Sequence, residues 1–126
     1  MKLTVLVDNN TIIDRYFLGE PALSFLIEDG EERVLFDAGY SDAFVQNAAK
    51  LGVDLTRITQ IVLSHGHDDH TRGLPALFAL GDHRSVPLTA HPDCFWPKRS
   101  EGLAIGMPYS AEALAERVDL RLARTP

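Results

Sequence analysis

Residues 61–70, IVLSHGHDDH, join a short apolar run directly to three histidines and two aspartates. The apolar run is typical of a buried strand. His65 and His67 are two positions apart, so an extended backbone would place both imidazoles on the same side. Asp69 and His70 follow at the point where the chain would turn into its next element. The stretch therefore predicts a strand that ends in a cluster of metal-ligating side chains.

Imidazole and carboxylate groups are the usual ligands of zinc and related divalent metals. The cluster could therefore begin two adjacent metal sites, with His65 and His67 for one ion and Asp69 and His70 for the other. The alternative is a charged, solvated loop that binds no metal, since histidines in ordinary structural roles are common. The apolar strand before the cluster and the helix signal after Gly73 favour the metal site.

The pattern His-x-His-x-Asp-His resembles the signature of the metallo-β-lactamase-fold hydrolases. Upstream, Leu35–Gly39 (LFDAG) resembles the Asp-x-Gly that ends a strand in that family. The segments Val5–Asn9 and Leu23–Ile27 are similar to the branch related to dihydropterin-ribofuranosylaminobenzene-phosphate synthase. That branch often has Glu-His-Gly before Leu-Ser, whereas Glu20-Pro21-Ala22 stands here.

The resemblance implies an α/β fold of layered α+β type, the αββα sandwich of the metallo-β-lactamase family. Members of this family are usually considerably longer, and their second half supplies further metal ligands. We therefore expect residues 1–126 to form the N-terminal half of such a domain, with one mixed sheet and helices on one face.

The resemblance also implies two divalent metal ions, for which zinc is the first choice and manganese or iron also suit His-rich sites. His65, His67, Asp69 and His70 would be ligands, and Asp69 would also act catalytically by orienting a water. The implied activity is hydrolysis, or a related transferase or synthase reaction, of a phosphorylated or ester small molecule by a metal-bound hydroxide. The alternative is a truncated, catalytically incomplete half-domain that acts as an oligomerising or partner-completed module.

Two residues outside the cluster are further candidates. Asp37 ends a predicted hairpin and is either an ordinary turn aspartate or a residue beneath the metal site that hydrogen-bonds the ligand loop. Gly39 and the later cluster favour the second interpretation. His91 follows a predicted strand at 86–90 and could line a substrate pocket, although a loop histidine that caps Asp93 or faces solvent is the simpler alternative.

The remaining pattern predicts alternating strands and helices. Thr11–Gly19 is ambiguous between a helical turn and a loop flap, His83 is expected at the surface, and Cys94 is expected to be a small apolar filler. The predicted strands cover about residues 2–7, 23–28, 33–36, 58–63, 86–90 and 120–122, and the predicted helices begin near Ser41, Gly73 and Ser110.

Composition limits the partners and the compartment. A net charge of −6 disfavours a nucleic-acid partner held by a basic surface, and no apolar run is long enough for a membrane span. A single cysteine fits the reducing cytoplasm. We expect a small-molecule substrate, and also homo-oligomers, because a half-domain would leave an apolar sheet face bare.

Overall fold

The computed structural model describes residues 1–8, 19, 22–96, 99–100, 103–104 and 106–124, so the ambiguous segment at 11–19 lies almost wholly outside the described residues. Strands and helices alternate along the chain. In order they are β1 (Lys2–Val7), β2 (Ser24–Asp29), β3 (Glu32–Phe36), α1 (Ala43–Leu51), β4 (Gln60–Val62), α2 (Asp68–Thr71), α3 (Leu74–Phe78), β5 (Pro87–Ala90), β6 (Arg99–Ser100), β7 (Leu103–Ala104), α4 (Ala111–Ala115) and β8 (Asp119–Leu122). Short 3₁₀ turns occupy Leu55–Arg57 and Pro92–Phe95.

Six of the strands form one mixed sheet in the order β1-β2-β3-β4-β5-β8. The first three strands are antiparallel neighbours, as the sequence predicted, and the hairpin between β2 and β3 turns at Gly30 with a φ of 62°. From β3 onward all neighbouring strands run parallel. The carboxyl ends of β3, β4, β5 and β8 therefore meet at one edge of the sheet.

A row of buried aliphatic side chains crosses the middle of the sheet. Leu26, Leu35, Ile61 and Leu88 are register partners on consecutive strands, and each is at most 2% exposed. Side chains of α1, α3 and α4 pack into the same core cluster. Full burial of one such side chain contributes about 1.5–3 kcal/mol, so this row is a main source of stability. The predicted α/β class with a mixed sheet and covering helices is confirmed.

Helix α1 is fixed at both ends and along its buried side. The hydroxyl of Ser41 accepts a hydrogen bond from the backbone N–H of Ala43, and Gly52 ends the helix in the left-handed conformation at φ 72°. Asn47 donates from Nδ2 to the carbonyl of Leu6 at 2.8 Å. Leu6 lies where the register between β1 and β2 shifts, and the Asn47 side chain gives its carbonyl a hydrogen-bond donor at this irregular position.

One helix differs from the sequence-based prediction. The helix predicted near Gly73 is present as α3, whereas the short helix α2 within the cluster itself was not predicted. A Cβ at Gly73 would lie 1.9 Å from the carbonyl oxygen of Ala38, so this glycine lets two backbones approach closely. No helix within the described residues is long and apolar enough to cross a membrane.

The prediction that His83 lies at the surface is wrong. Its side chain is 2% exposed and packs beside Phe78, with ring centroids 6.0 Å apart. Its Nδ1 lies 3.2 Å from the carbonyl oxygen of Gly81, and its Nε2 lies 3.4 Å from that of Leu55. A ring N–H directed at either carbonyl compensates this imidazole for the loss of water, which its polar sequence neighbours did not indicate.

The opposite face of the sheet is apolar and less covered. Phe25 and Phe36 are cross-strand partners whose rings stack at 6.5 Å, and both are half-buried. On the neighbouring edge strand, Leu3 is 58% exposed and Val5 is 45% exposed. We call this face, which also includes Val62, the outer sheet face.

Candidate metal centre

The predicted site residues follow the carboxyl ends of three neighbouring parallel strands. Asp37 comes directly after β3, residues 64–70 follow β4, and His91 follows β5. Ligand sites of open α/β sheets form outside the carboxyl ends of such strands. The fold therefore gathers at one edge residues that lie far apart in the sequence.

Asp37 is held in an unusual backbone conformation. It has a φ of 60°, which costs a non-glycine residue of order 1–3 kcal/mol, and the surrounding contacts compensate for this. Its N–H donates to the carbonyl of Val62 at 2.9 Å, and its own carbonyl accepts from the Ser24 hydroxyl at 2.8 Å. These bonds turn the fully buried carboxylate toward the loop after β4.

The Asp37 carboxylate binds the ligand loop through three hydrogen bonds. Its Oδ1 accepts from the backbone N–H of Ser64 at 2.7 Å, and its Oδ2 accepts from the Ser64 hydroxyl at 2.5 Å. The same Oδ2 lies 2.6 Å from Nδ1 of His70. Asp37 is thus a structural support beneath the cluster, as one of the two sequence interpretations proposed.

His65, Asp69 and His70 form a compact donor group. One ligand-type atom from each residue lies within 4.8 Å of the others, and the rings of His65 and His70 have centroids 4.1 Å apart. Because Nδ1 of His70 contacts Asp37, the Nε2 atom of His70 is left for a metal. This Nε2 lies 3.5 Å from Oδ2 of Asp69. Two imidazoles and a carboxylate at this spacing fit a divalent ion such as zinc.

His67 lies beside this group rather than in it. Its ring meets that of His65 edge-on, with centroids 4.8 Å apart, and its side chain is exposed. The structure therefore brings His65 together with Asp69 and His70, although the sequence assigned His65 and His67 to one ion. Which residues share an ion stays a prediction.

Helix α2 carries two of the donors and is fastened by its neighbours. The backbone N–H of Ala38 donates to the carbonyl of His70 at 2.7 Å, and that of Leu23 donates to the carbonyl of Asp69 at 3.2 Å. The buried hydroxyl of Thr71 donates to the carbonyl of His67 at 2.9 Å. This short helix therefore depends on tertiary contacts for its position.

The turn that contains His91 packs directly against the ligand loop. A Cβ at Gly66 would lie only 2.2 Å from the backbone oxygen of Cys94, so the two segments touch through their backbones. Nδ1 of His91 accepts from the N–H of Asp93 at 3.0 Å and caps this 3₁₀ turn. This is the capping role that the sequence left open, and a part in a substrate pocket stays a prediction. Cys94 is buried, as expected of an apolar filler.

The environment of the cluster favours a neutral His65. Burial lowers the pKa of His65 below its ordinary 6.5, and the neighbouring His70 and His67 lower it further, against the smaller opposing effects of Asp37 and Asp69. A neutral imidazole has the lone pair that a metal requires. Because the unfolded chain binds this proton more readily, His65 costs no stability above pH 6.5 and costs progressively more as the pH falls below it.

Sequence reasoning missed two residues of this centre. Ser64 bridges Asp37 and His65, since its hydroxyl lies 2.9 Å from Nδ1 of His65. Gly66 admits the turn at Cys94. Ser64 is adjacent to the cluster, but its role depends on a carboxylate 27 positions away, which no local pattern reveals.

The fold and the donor group define an α/β protein with a candidate metal site at the carboxyl edge of a mixed sheet. The sequence profile of the metallo-beta-lactamase superfamily matches residues 18–113, and the chain belongs to this superfamily.

Its relatives include a protein of the predicted branch. The chain is 34% identical over 100 residues to the 7,8-dihydropterin-6-methyl-4-(beta-D-ribofuranosyl)-aminobenzene-5'-phosphate synthase of Methanocaldococcus jannaschii, covering 75% of this chain and 34% of that protein. It is 32% identical over 125 residues to the uncharacterized protein MJ0448 of the same organism, an alignment that covers 98% of this chain and 48% of that protein. A ribonuclease Z of Nocardia farcinica is 37% identical over 103 residues, an alignment that covers 77% of this chain and 30% of that protein. The chain therefore spans less than half the length of each of these relatives.

A solved structure gives the same result for the fold. The crystal structure of Tm1679, a metal-dependent hydrolase of the beta-lactamase superfamily, superposes with a TM-score of 0.76 at 28% identity, covering 98% of this chain and 42% of that chain. The predicted metallo-β-lactamase-like fold is thereby confirmed.

Proposed function

We propose that the chain is part of a metal-dependent hydrolase, or of a related synthase, that holds two divalent ions, with zinc as the first choice. The observation that carries this proposal is the donor group of His65, Asp69 and His70 at the sheet edge. Divalent ions in such a site lower the pKa of water and stabilise negative charge that develops on a substrate. The buried cysteine fits the reducing cytoplasm, where we propose that the protein works.

The residues of the chain have distinct parts in this proposal. The proposed metal ligands are His65, Asp69 and His70, and His67 would be a fourth ligand at the side of this group. Asp69 would also orient the attacking water through its second oxygen. Asp37 would keep His70 in one orientation. We propose a small phosphorylated or ester substrate, since by name one relative is the synthase of an aminobenzene-5'-phosphate compound and another is a ribonuclease.

The test is hydrolysis of bis(4-nitrophenyl) phosphate and 4-nitrophenyl acetate by the full chain with added zinc or manganese. His65→Ala and Asp69→Asn should abolish turnover at saturating metal, because each removes a ligand of an ion that has about three protein ligands. His65→Ala should cost little stability, since the side chain is at a strand end and its loss leaves no core cavity.

Asp119→Asn is the matched control. Its side chain is 47% exposed, against 40% for Asp69, but it lies on the edge strand β8 and pairs with Arg121. This variant should retain the parent activity. Near-normal turnover by His65→Ala or Asp69→Asn would show that the cluster is not the catalytic centre. A short RNA in the same assay distinguishes a nuclease from an enzyme for small molecules.

A second candidate function is a half-domain that another copy of the chain completes. One observation favours it: the outer sheet face exposes Leu3 and Val5. We propose a second copy as the occupant, because the central positions of this face on β1, β2 and β3 are apolar, and the acidic pair Asp29 and Glu32 lies at its hairpin end. The protein would then be dimeric or larger and inactive without its partner.

A further inference from the structure

Ser64 is the last residue before the metal cluster and contacts both the support and a ligand. Its hydroxyl lies 2.5 Å from Oδ2 of Asp37 and 2.9 Å from Nδ1 of His65. We propose that Ser64 is a positioning residue that connects Asp37 to His65 and fixes the imidazole proton of His65 on Nδ1. The Nε2 atom of His65 is then the one left to bind metal. This inference rests on the metal site of the proposed function.

The direction of the hydrogen bonds follows from counting protons. A serine hydroxyl has one proton to donate, and an ionised carboxylate can only accept. If Ser64 gave its proton to His65, two acceptor oxygens would face each other at 2.5 Å with no proton between them. The hydroxyl therefore donates to Asp37, and Nδ1 of His65 must carry the proton that it donates to the Ser64 oxygen.

His70 has the same arrangement without an intermediary. Its Nδ1 lies 2.6 Å from Oδ2 of Asp37 and donates to this carboxylate, and its Nε2 faces Asp69. One buried carboxylate thus orients two ligands, directly for His70 and through a hydroxyl for His65. A hydrogen bond to the remote nitrogen fixes the tautomer and raises the basicity of a ligating histidine.

The backbone of Ser64 makes its side chain separable from the fold. The Ser64 N–H donates to Oδ1 of Asp37 at 2.7 Å, and this bond does not need the hydroxyl. The residue is also exposed, so removal of Oγ leaves no buried cavity. Ser64→Ala should therefore fold and should lose only the connection to His65.

The experiment combines ring spectra with metal titration on the full chain. Long-range ¹H–¹⁵N spectra of the metal-free protein identify which nitrogen of His65 carries the proton, and a chromophoric chelator measures zinc affinity by competition. Ser64→Thr retains a hydroxyl, and Ser85→Ala removes one from an exposed turn before β5 as the matched control.

In the parent protein, the proton of neutral His65 should be on Nδ1. Ser64→Ala should give a mixture of tautomers and raise the zinc dissociation constant roughly 10–100-fold, the range typical of residues that orient metal ligands. Ser64→Thr should restore the parent spectrum and affinity, and Ser85→Ala should change neither.

A parent spectrum with the His65 proton on Nε2 would overturn the inference, as would unchanged spectra and zinc affinity in Ser64→Ala. The result is separable from the proposed hydrolase function. A protein that shows the expected spectra and affinities but cleaves no ester or phosphodiester would refute the function and leave the role of Ser64 intact.

Discussion

Gly66 packs against the backbone of Cys94 so closely that the ligand loop and the turn after β5 behave as one unit. The ideal position of a Cβ at Gly66 is 2.2 Å from the Cys94 oxygen and 2.7 Å from its Cα. Both contacts are to backbone, which cannot rotate away as a side chain can. Gly66, which lies between the proposed ligands His65 and His67, is thus fixed by steric contact, in a loop that hydrogen bonds also hold.

We therefore expect Gly66→Ala to destabilise the protein by about 1–3 kcal/mol, the usual cost of forcing extra volume into a packed site. It should also weaken zinc binding, because the loop has to move away from the Cys94 turn. Urea denaturation and chelator competition measure the two effects.

Gly81→Ala is the control for this substitution. There the nearest atom to a new Cβ is Cγ2 of Thr56 at 3.7 Å, which is ordinary contact. Equal stability and zinc affinity in the two variants would show that the loop and the turn are not rigidly packed.

At this scale the sequence predicted the ligand types well and their connections poorly. His65, Asp69 and His70 were candidates from their spacing alone, and the structure brings them together. The role of Ser64 could not be predicted, because it requires Asp37 to adopt a positive φ after a different strand. His83 was misplaced for a similar reason, since the Leu55 carbonyl beside its ring is 28 positions away in the sequence.

Among the elements, α1 depends most visibly on one polar contact. Asn47 is 3% exposed, and its Nδ2 donates to the Leu6 carbonyl at a register shift of β1. We expect Asn47→Ala to lower the free energy of unfolding by about 1–3 kcal/mol, because a buried carbonyl loses this donor. Chemical denaturation followed by circular dichroism measures the change.

The neighbouring Gln46→Ala provides the comparison. Gln46 is exposed on the same helix and donates to Asp42 at the surface, so its loss should change stability by less than about 0.5 kcal/mol. If both variants lost equal stability, the contact between α1 and β1 would not be the cause.

The longer elements of this chain were easier to predict than the short ones, since α2, β6 and β7 were not expected. The apolar runs of β1, β2, β3 and β5 have clear bounds, and the observed strands agree with the prediction within a residue or two. The cluster itself was harder: the helix predicted near Gly73 is present as α3, but no helix was predicted at residues 68–71, where backbone hydrogen bonds from Leu23 and Ala38 hold α2. Such tertiary hydrogen bonds are invisible to periodicity.

For the whole molecule, the outer sheet face gives the clearest test of assembly. Val5 is 45% exposed on this face, and Leu51, at the end of α1, is 44% exposed elsewhere. If a second copy covers the face, light scattering at micromolar concentration should find a dimer or larger species. Val5→Glu should shift it to monomer by burying an unpaired charge, and Leu51→Glu should not.

A monomeric parent protein would contradict the second-copy proposal. A response of both variants alike would place the interface elsewhere. The fold class and the family were within reach of the sequence, because the motif and its flanking strands carry them. The sequence also predicted a bare apolar sheet face, and whether a second copy covers it stays a prediction.

The position of β4 in the sheet has a consequence for how the ligand loop unfolds. This strand lies between β3 and β5, with two strands further out on one side and one on the other, and its Ile61 is fully buried. Amide protons of such a strand exchange with solvent deuterium mainly when the whole domain unfolds, whereas edge strands open locally. We therefore expect the strand that anchors the ligand loop to exchange slowly, and the anchor and the fold to be lost in a single cooperative event.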